Sequence, residues 1–349
     1  MRRPRASSAL LPLAVVGAAA VSASYYLRQR RRISFRDRTV LISGASRGLG
    51  LELARCFAGE GAHVVLLARE REELQNVVNE FRLRGGAVTA LECDVRKPDE
   101  VKKTVREVIE NRGGIDVLVN NAGIIQVGPM EHMQREDFID AMDVHFWGPL
   151  YLLQEIVPHM KERGGGRIVN VTSIGGKVAV PHLLPYVASK FALVGLSEGL
   201  RPELAKDGIY VTTVCPGLMR TGSHLNAFFK GDHEKEYALF SMANASPLFS
   251  TSSQKAARKI VEACRCGRAE IFITPQARLL EVVNSLFPGL VAESLAVVNS
   301  ALPGVRDRRG DMLKRGWESR SRLAPSFLTR RADRAAARNK EDPKLVAGS

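Results

Sequence analysis

Seven short runs rich in aliphatic and β-branched residues, at 39–44, 63–68, 88–95, 115–123, 167–173, 209–217 and 270–274, alternate along this chain with longer stretches of helical periodicity. The helical stretches fall at 49–59, 70–84, 98–111, 134–161, 186–206 and 251–265. Because the short runs are almost unbroken in apolar character, they suit strands covered on both faces rather than half-exposed ones. Such alternation predicts an α/β fold, a doubly wound parallel sheet of about seven strands with helices on both sides. Sheets of this kind bind ligands beyond the carboxyl ends of their strands, so strand-end residues are the first candidates for chemistry.

The chain has 349 residues, of which 45% are hydrophobic and 25% charged, enough for a sizeable core and inconsistent with global disorder, collagen or a coiled coil. Its formal charge of +14 sits at the ends: residues 1–38 hold nine Arg and one Asp, and residues 306–349 hold thirteen Lys or Arg and six Asp or Glu. The region between is nearly neutral, which argues against a nucleic-acid groove. Residues 6–27 carry no charged side chain and are long enough to cross most of a bilayer, so residues 1–37 read as an uncleaved hydrophobic anchor with a basic flank. A cleaved signal peptide ending near Ala23 and an organelle-targeting segment are the alternatives. The excess of Arg after the run favours a membrane-associated body facing the cytoplasm. Residues 38–275 form the expected main folded domain. Residues 276–304 predict two short apolar helices broken at Pro288-Gly289, which either close the core, contact a second copy or lie on a membrane. The basic tail, 305–349, is expected to be mobile. Five cysteines, Cys56, Cys93, Cys215, Cys264 and Cys266, show no CxxC pair and no metal-type spacing, so buried thiols in a reducing compartment and no metal are expected.

The first strand runs directly into Ser43-Gly44-Ala45-Ser46-Arg47-Gly48-Leu49-Gly50, which opens a helix. Glycines there permit a tight turn and let backbone N–H groups and the helix N-terminus approach a pyrophosphate. Further on, Tyr186 and Lys190 stand four residues apart, stacked on one helix face, where an ammonium would stabilise a phenolate and pull the tyrosine into the working range of acid–base catalysis. Ser173 lies thirteen residues upstream at the end of the fifth strand.

With Gly-xxx-Gly-x-Gly spacing, an Asn120-Asn121-Ala122-Gly123 strand end and Ser173 before Tyr186-xxx-Lys190, residues 38–275 resemble the short-chain dehydrogenase/reductase family. The resemblance implies that Ser173 hydrogen-bonds the substrate oxygen, Tyr186 exchanges its proton and Lys190 also grips the nicotinamide ribose. It implies further cofactor contacts at Gly44, Ser46, Arg47, Gly48, Leu49, Gly50, Asp94, Val95, Asn121, Pro216, Gly217 and Thr221, and a homo-oligomer. One position departs from the pattern: His145 stands where the family commonly has an asparagine that positions a relay water. Imidazole could serve the same relay, or be a satisfied structural group. At the end of the second strand, Arg69 replaces the carboxylate that an NAD-specific protein would place on the ribose hydroxyls. Arg69 and Arg47 offer guanidinium forks for a 2′-phosphate, so NADP(H) is the expected cofactor.

The expected function is therefore an NADP(H)-dependent oxidoreductase interconverting a ketone or aldehyde and an alcohol. The region 222–250, where the family carries its substrate lid, holds Leu225, Phe228, Phe229, Tyr237, Leu239, Phe240, Met242, Leu248 and Phe249. Such a wall suits a steroid, retinoid or other lipid-derived substrate, ordinary packing of the lid being the alternative. An NADP-binding scaffold or redox-sensing protein with little turnover is the competing class, and the glycine spacing disfavours an extended-type epimerase.

Overall fold

The computed structural model describes residues 22, 23 and 25–342, apart from 84, 247–249, 306, 307, 322, 323, 327 and 328. All seven expected strands form: β1 (Thr39–Ser43), β2 (His63–Ala68), β3 (Val88–Glu92), β4 (Val117–Asn120), β5 (Gly166–Val171), β6 (Ile209–Cys215) and β7 (Glu270–Phe272). They make one parallel sheet in the order β3-β2-β1-β4-β5-β6-β7. The order reverses between β1 and β4, which opens a crevice beyond their carboxyl ends. Successive residues of one strand serve opposite faces. Val40 and Ile42 join Leu53, Phe57 and Ile260 in one buried cluster, while Leu41 between them joins Val105, Leu152 and Ile156 in the other. Each such side chain, fully buried, contributes roughly 1.5–3 kcal/mol.

The covering helices are α1 (Gly48–Gly59), α2 (Arg71–Leu83), α3 (Pro98–Arg112), α4 (Arg135–Met142), α5 (Gly148–Glu162) and α6 (Leu184–Ala205), followed by α7 (His233–Ala245) and α8 (Ser253–Arg265). The single helix expected over 134–161 is divided by a π-helical turn at Asp143–Trp147. Pro149 has no N–H to give the His145 carbonyl, and the Gly148 N–H reaches back five residues to the Asp143 carbonyl, so the register slips there.

Beyond β7, α9 (Pro275–Leu286) and α10 (Pro288–Ser300) form a pair bent by 118°. They do not close the core: Ala277 and Val291 are their buried residues, whereas Leu279, Leu286, Leu290 and Val297 are exposed. Among the described residues no single helix is long and apolar enough to cross a membrane. The apolar run at 6–27 lies outside the described residues except for 22, 23 and 25–27, which are helical.

The expectation of a mobile tail is corrected for its described part. Lys314–Arg315 pairs antiparallel with Phe228–Phe229, and α11 (Arg330–Arg338) packs on the lid. Ala332 and Ala336, one turn apart, give this Arg-rich helix a small, fully buried face. Ala324 and Ala336 share a third cluster with Val127, Leu225, Phe229 and Tyr237. Several lid side chains are thus consumed in packing against the tail; Phe240 and Met242 stay only partly buried.

Candidate active site

Ser173 follows β5 in extended conformation, and its Oγ accepts the Gly175 N–H at 3.0 Å. The 3-10 turn Ile174–Gly176 then brings the chain against α6. A Cβ at Gly176 would stand 2.7 Å from the Lys190 carbonyl oxygen, so only glycine admits the catalytic helix this close. Tyr186 and Lys190 lie near the start of α6, and Tyr186 meets Ser173 beside Gly175, where a Cβ would stand 3.3 Å from Tyr186 Cε1 and 3.4 Å from Ser173 Oγ. Lys190 Nζ donates to the Val171 carbonyl at 3.0 Å and lies 5.7 Å from the Tyr186 ring centroid. The three side chains expected to act together are therefore together, at the carboxyl end of β5.

Their electrostatics differ from expectation. Burial pushes Tyr186 up from its ordinary value, with the neighbouring Ser173 hydroxyl opposing it. Burial also lowers Lys190 to about 7. A lysine that is only partly charged near neutrality, held by a backbone carbonyl, does not lower Tyr186 in the chain alone; desolvation wins.

His145 sits on the π-helical turn, fully buried. Its Nε2 accepts the Ile124 N–H at 3.1 Å, so the ring proton is on Nδ1, which donates to Ser189 Oγ at 2.7 Å. Ser189 Oγ in turn donates to the Tyr186 carbonyl at 2.9 Å. Burial, helped by the nearby Lys190 charge, holds His145 well below its ordinary value and therefore neutral. Both ring nitrogens are occupied by protein groups other than Lys190, which does not match a proton relay behind the lysine. The ring instead stands edge-on to Tyr186, centroids 5.4 Å apart, and braces it.

At the switch point, Asn121 Nδ2 donates to the carbonyls of Ser43 and Gly44 at 3.2 and 3.0 Å, tying the end of β4 to the glycine turn. Gly48 has a φ of 62° and donates its N–H to the Asn339 carbonyl at 2.9 Å, with the Glu341 carboxylate packed where a Cβ would project. Leu49 and Gly50 continue the first turn of α1, buried like Gly48. Ser46 Oγ donates to Glu73 at 2.7 Å, and Arg47 pairs with the same carboxylate. Arg69 is exposed just beyond β2. Asp94 is buried, which alone would push it up, but hydrogen bonds from Arg96 outweigh this and hold it below its ordinary value. Val95 beside it is buried. Pro216 accepts the Ile174 N–H at 2.7 Å, and Gly217 follows at the end of β6. Thr221 Oγ1 accepts the Ser223 N–H at 3.1 Å. The expected site residues thus gather along the carboxyl edge of the sheet, Arg69 and Asp94 at its outer strands.

Sequence reasoning missed three features. Glu73 anchors Ser46 and Arg47 from α2. A buried polar chain runs from Asn120 to Asn170 at 2.8 Å, on to Ser197 at 3.0 Å and to Thr213 at 2.7 Å, linking β4, β5, α6 and β6. An asparagine inside each of two otherwise apolar strands was its signal. The third is the contact of Asn339 and Glu341 with the glycine turn, which has no local signal along the chain.

A family model described as short chain dehydrogenase matches residues 38–228. Over 214 residues the chain is 36% identical to dehydrogenase/reductase SDR family member 7B of Danio rerio, covering 60% of this chain and 69% of that one. It is 36% identical over 184 residues to the 3-oxoacyl-acyl-carrier-protein reductase FabG of Staphylococcus epidermidis, covering 52% of this chain and 75% of that one. Among solved structures, a gluconate 5-dehydrogenase from Burkholderia cenocepacia in complex with NADP and tartrate superimposes with a TM-score of 0.63 at 27% identity, covering 72% of this chain and 98% of that one.

Proposed function

This chain belongs to the short-chain dehydrogenase family, and we propose that it is an NADP(H)-dependent oxidoreductase interconverting a lipophilic ketone or aldehyde and the corresponding alcohol. The observation that carries this reading is the gathering of Tyr186 and Ser173 around Gly175, with Lys190 one helical turn further along α6. The glycine turn fits a nicotinamide dinucleotide in its own chemistry: Gly48 offers its N–H to a carbonyl oxygen and a carboxylate rests against it, so the turn is already a seat for acceptor atoms and negative charge. The backbone from Gly44 to Gly50 would hold the pyrophosphate, Asp94 and Val95 the adenine side, and Asn121, Lys190 and Thr221 the nicotinamide side. When bound, that group supplies or takes up the hydride. Ser173 and Tyr186 present two hydroxyls to a substrate oxygen; in reduction Tyr186 gives its proton as charge develops there, and a charged Lys190 stabilises the phenolate left behind.

The preference for NADP(H) rests on Arg69 and Arg47, and the NADP complex of the structurally similar gluconate dehydrogenase is in keeping with it. Arg69→Asp is expected to weaken NADPH binding by about 50-fold, the scale of a charge-assisted pair, while improving NADH. Fluorescence titration of both nucleotides checks this; NADH binding to the unaltered protein at least as tightly as NADPH would overturn the preference.

A lipophilic substrate is supported by Leu183, Ile125, Phe240 and Met242, partly buried apolar side chains around the lid cluster. We infer a membrane location for the same reasons of composition: the run at 6–27 and the exposed leucines of α9 and α10. Co-sedimentation of the full chain with phospholipid vesicles is the measurement. Recovery in the supernatant without and with Leu279→Glu and Leu290→Glu alike would count against it.

A further inference from the structure

Gly48 at the head of α1 does not face open solvent. The segment after α11 reaches across from the far end of the chain and lies on it. Asn339 is fully buried; its carbonyl takes the Gly48 N–H at 2.9 Å, and its side-chain amide donates to the Thr221 carbonyl at 2.7 Å and to Ser253 Oγ at 3.2 Å. Lys340 Nζ donates to the Asn76 carbonyl at 2.9 Å and lies 3.4 Å from Glu80, fastening the segment to α2. The Glu341 carboxylate is buried against Gly48, accepts Asn226 Nδ2 at 2.6 Å and stands 3.7 Å from Arg47. One segment thus bridges two of the places assigned to the cofactor, the glycine turn and Thr221.

We propose that residues 330–342 are an internal competitor of the dinucleotide, with the Asn339 carbonyl and the Glu341 carboxylate seated where the pyrophosphate would bind. This rests on the cofactor reading above. A helix N-terminus favours an acceptor and a negative charge because its first N–H groups have no intrahelical partners. Tail and pyrophosphate offer the same chemistry to the same N–H, and two anions on one helix end repel, so each excludes the other. Competition requires that the tail be released when the dinucleotide binds. Small Ala332 and Ala336 anchor α11 without a large apolar side chain. Glu341 sits buried with Arg47 only at 3.7 Å and with Arg47 also engaged by Glu73. Burial raises Glu341 to about 7, the mark of a carboxylate short of compensation. NADPH binding then requires release of the segment, and whatever holds the segment away activates the protein.

The test uses the full chain with two variants outside the cofactor and catalytic residues. Ala336→Asp puts a charge on the buried face of α11, and Glu341→Lys puts a cation beside Arg47. Both are expected to tighten NADPH binding by about tenfold or more, the scale of one charge-assisted contact removed from the competitor. Turnover at saturating NADPH should be unchanged. Amide hydrogen exchange of residues 330–341 reports the segment itself: protection in the free chain, lost in both variants and lost on adding NADPH to the unaltered protein. Two variants are needed because a lysine at 341 could attract phosphate by itself, whereas Ala336→Asp cannot. Unchanged NADPH affinity in Ala336→Asp despite lost protection would overturn the proposal, as would protection that survives saturating NADPH. Failure of the underlying cofactor reading looks different: neither the unaltered chain nor either variant would bind NADPH although the variants release the segment, and the competitor role would fall with it.

Discussion

Replacing Tyr186 with Phe is expected to lower the turnover of NADPH with an accepted carbonyl by about 10³-fold or more, within the range carried by a positioned acid or base. The change deletes one oxygen. His145 still meets the ring edge, and Ser189 still bonds the Tyr186 main-chain carbonyl, so helix α6 keeps its place. NADPH affinity should therefore hold while the rate collapses. The assay is NADPH oxidation by the full chain in mild detergent with small, steroidal and long-chain carbonyls offered in parallel. Turnover lost with Tyr186→Phe on a member of the panel identifies both the enzyme and its substrate class. Equal turnover by the two proteins would remove Tyr186 from the chemistry, and NADPH binding with no turnover on any member would favour the cofactor-binding scaffold.

The second large effect concerns stability. Among the described residues no carboxylate pairs with the buried Lys190, which is held by the Val171 carbonyl at 3.0 Å, and burial lowers it from 10.5 to about 7. Below about pH 7 the folded protein carries a buried ammonium and bears its full desolvation cost. Between about pH 7 and 10 the unfolded chain retains the proton that the folded one has lost, so stability rises with pH across that window. Lys190→Met removes this dependence. It is expected to stabilise the protein by several kcal/mol at pH 6, with a ceiling of about 5 kcal/mol from 1.36 kcal/mol per pKa unit, less about 1 kcal/mol for the orphaned Val171 carbonyl. The gain should shrink steadily as pH rises from about 7 towards 10. Activity should fall by about as much as for Tyr186→Phe. Urea denaturation of both proteins at pH 6, 8 and 9.5 checks the sign; a variant less stable at pH 6, or a gain independent of pH, would show that Lys190 is not a buried charge of this kind. Lys190 thus illustrates a site that trades stability for a proton-handling group.

Much of this was legible along the chain. The seven strands and the helices between them follow from hydrophobic periodicity, which is local: β1 to β7 were found within a few residues of the expected runs, since the two faces of a buried strand need apolar side chains at every position. The pairing of Tyr186 with Lys190 follows from the rise of an α-helix, and the opening of α1 at Gly48 from the turn before it. The π-helical turn was hidden in a continuous helical pattern, although Gly148-Pro149 was its mark.

Other properties depended on which distant groups meet. Whether Tyr186 is lowered or raised is set by how much water the fold removes around it, and whether His145 relays or braces is set by Ile124 and Ser189 on other elements. Phe229 and Tyr237 of the lid became packing rather than an open wall because a tail that looked solvated by composition had two alanines to press against them. The sequence by itself determined the sheet, the glycine turn and the catalytic spacing, because periodicity and turn chemistry act between near neighbours. Only the tertiary structure decided the protonation of the site and brought Glu341 onto Gly48, because desolvation and the meeting of residues nearly a whole chain apart exist only once the chain has closed on itself.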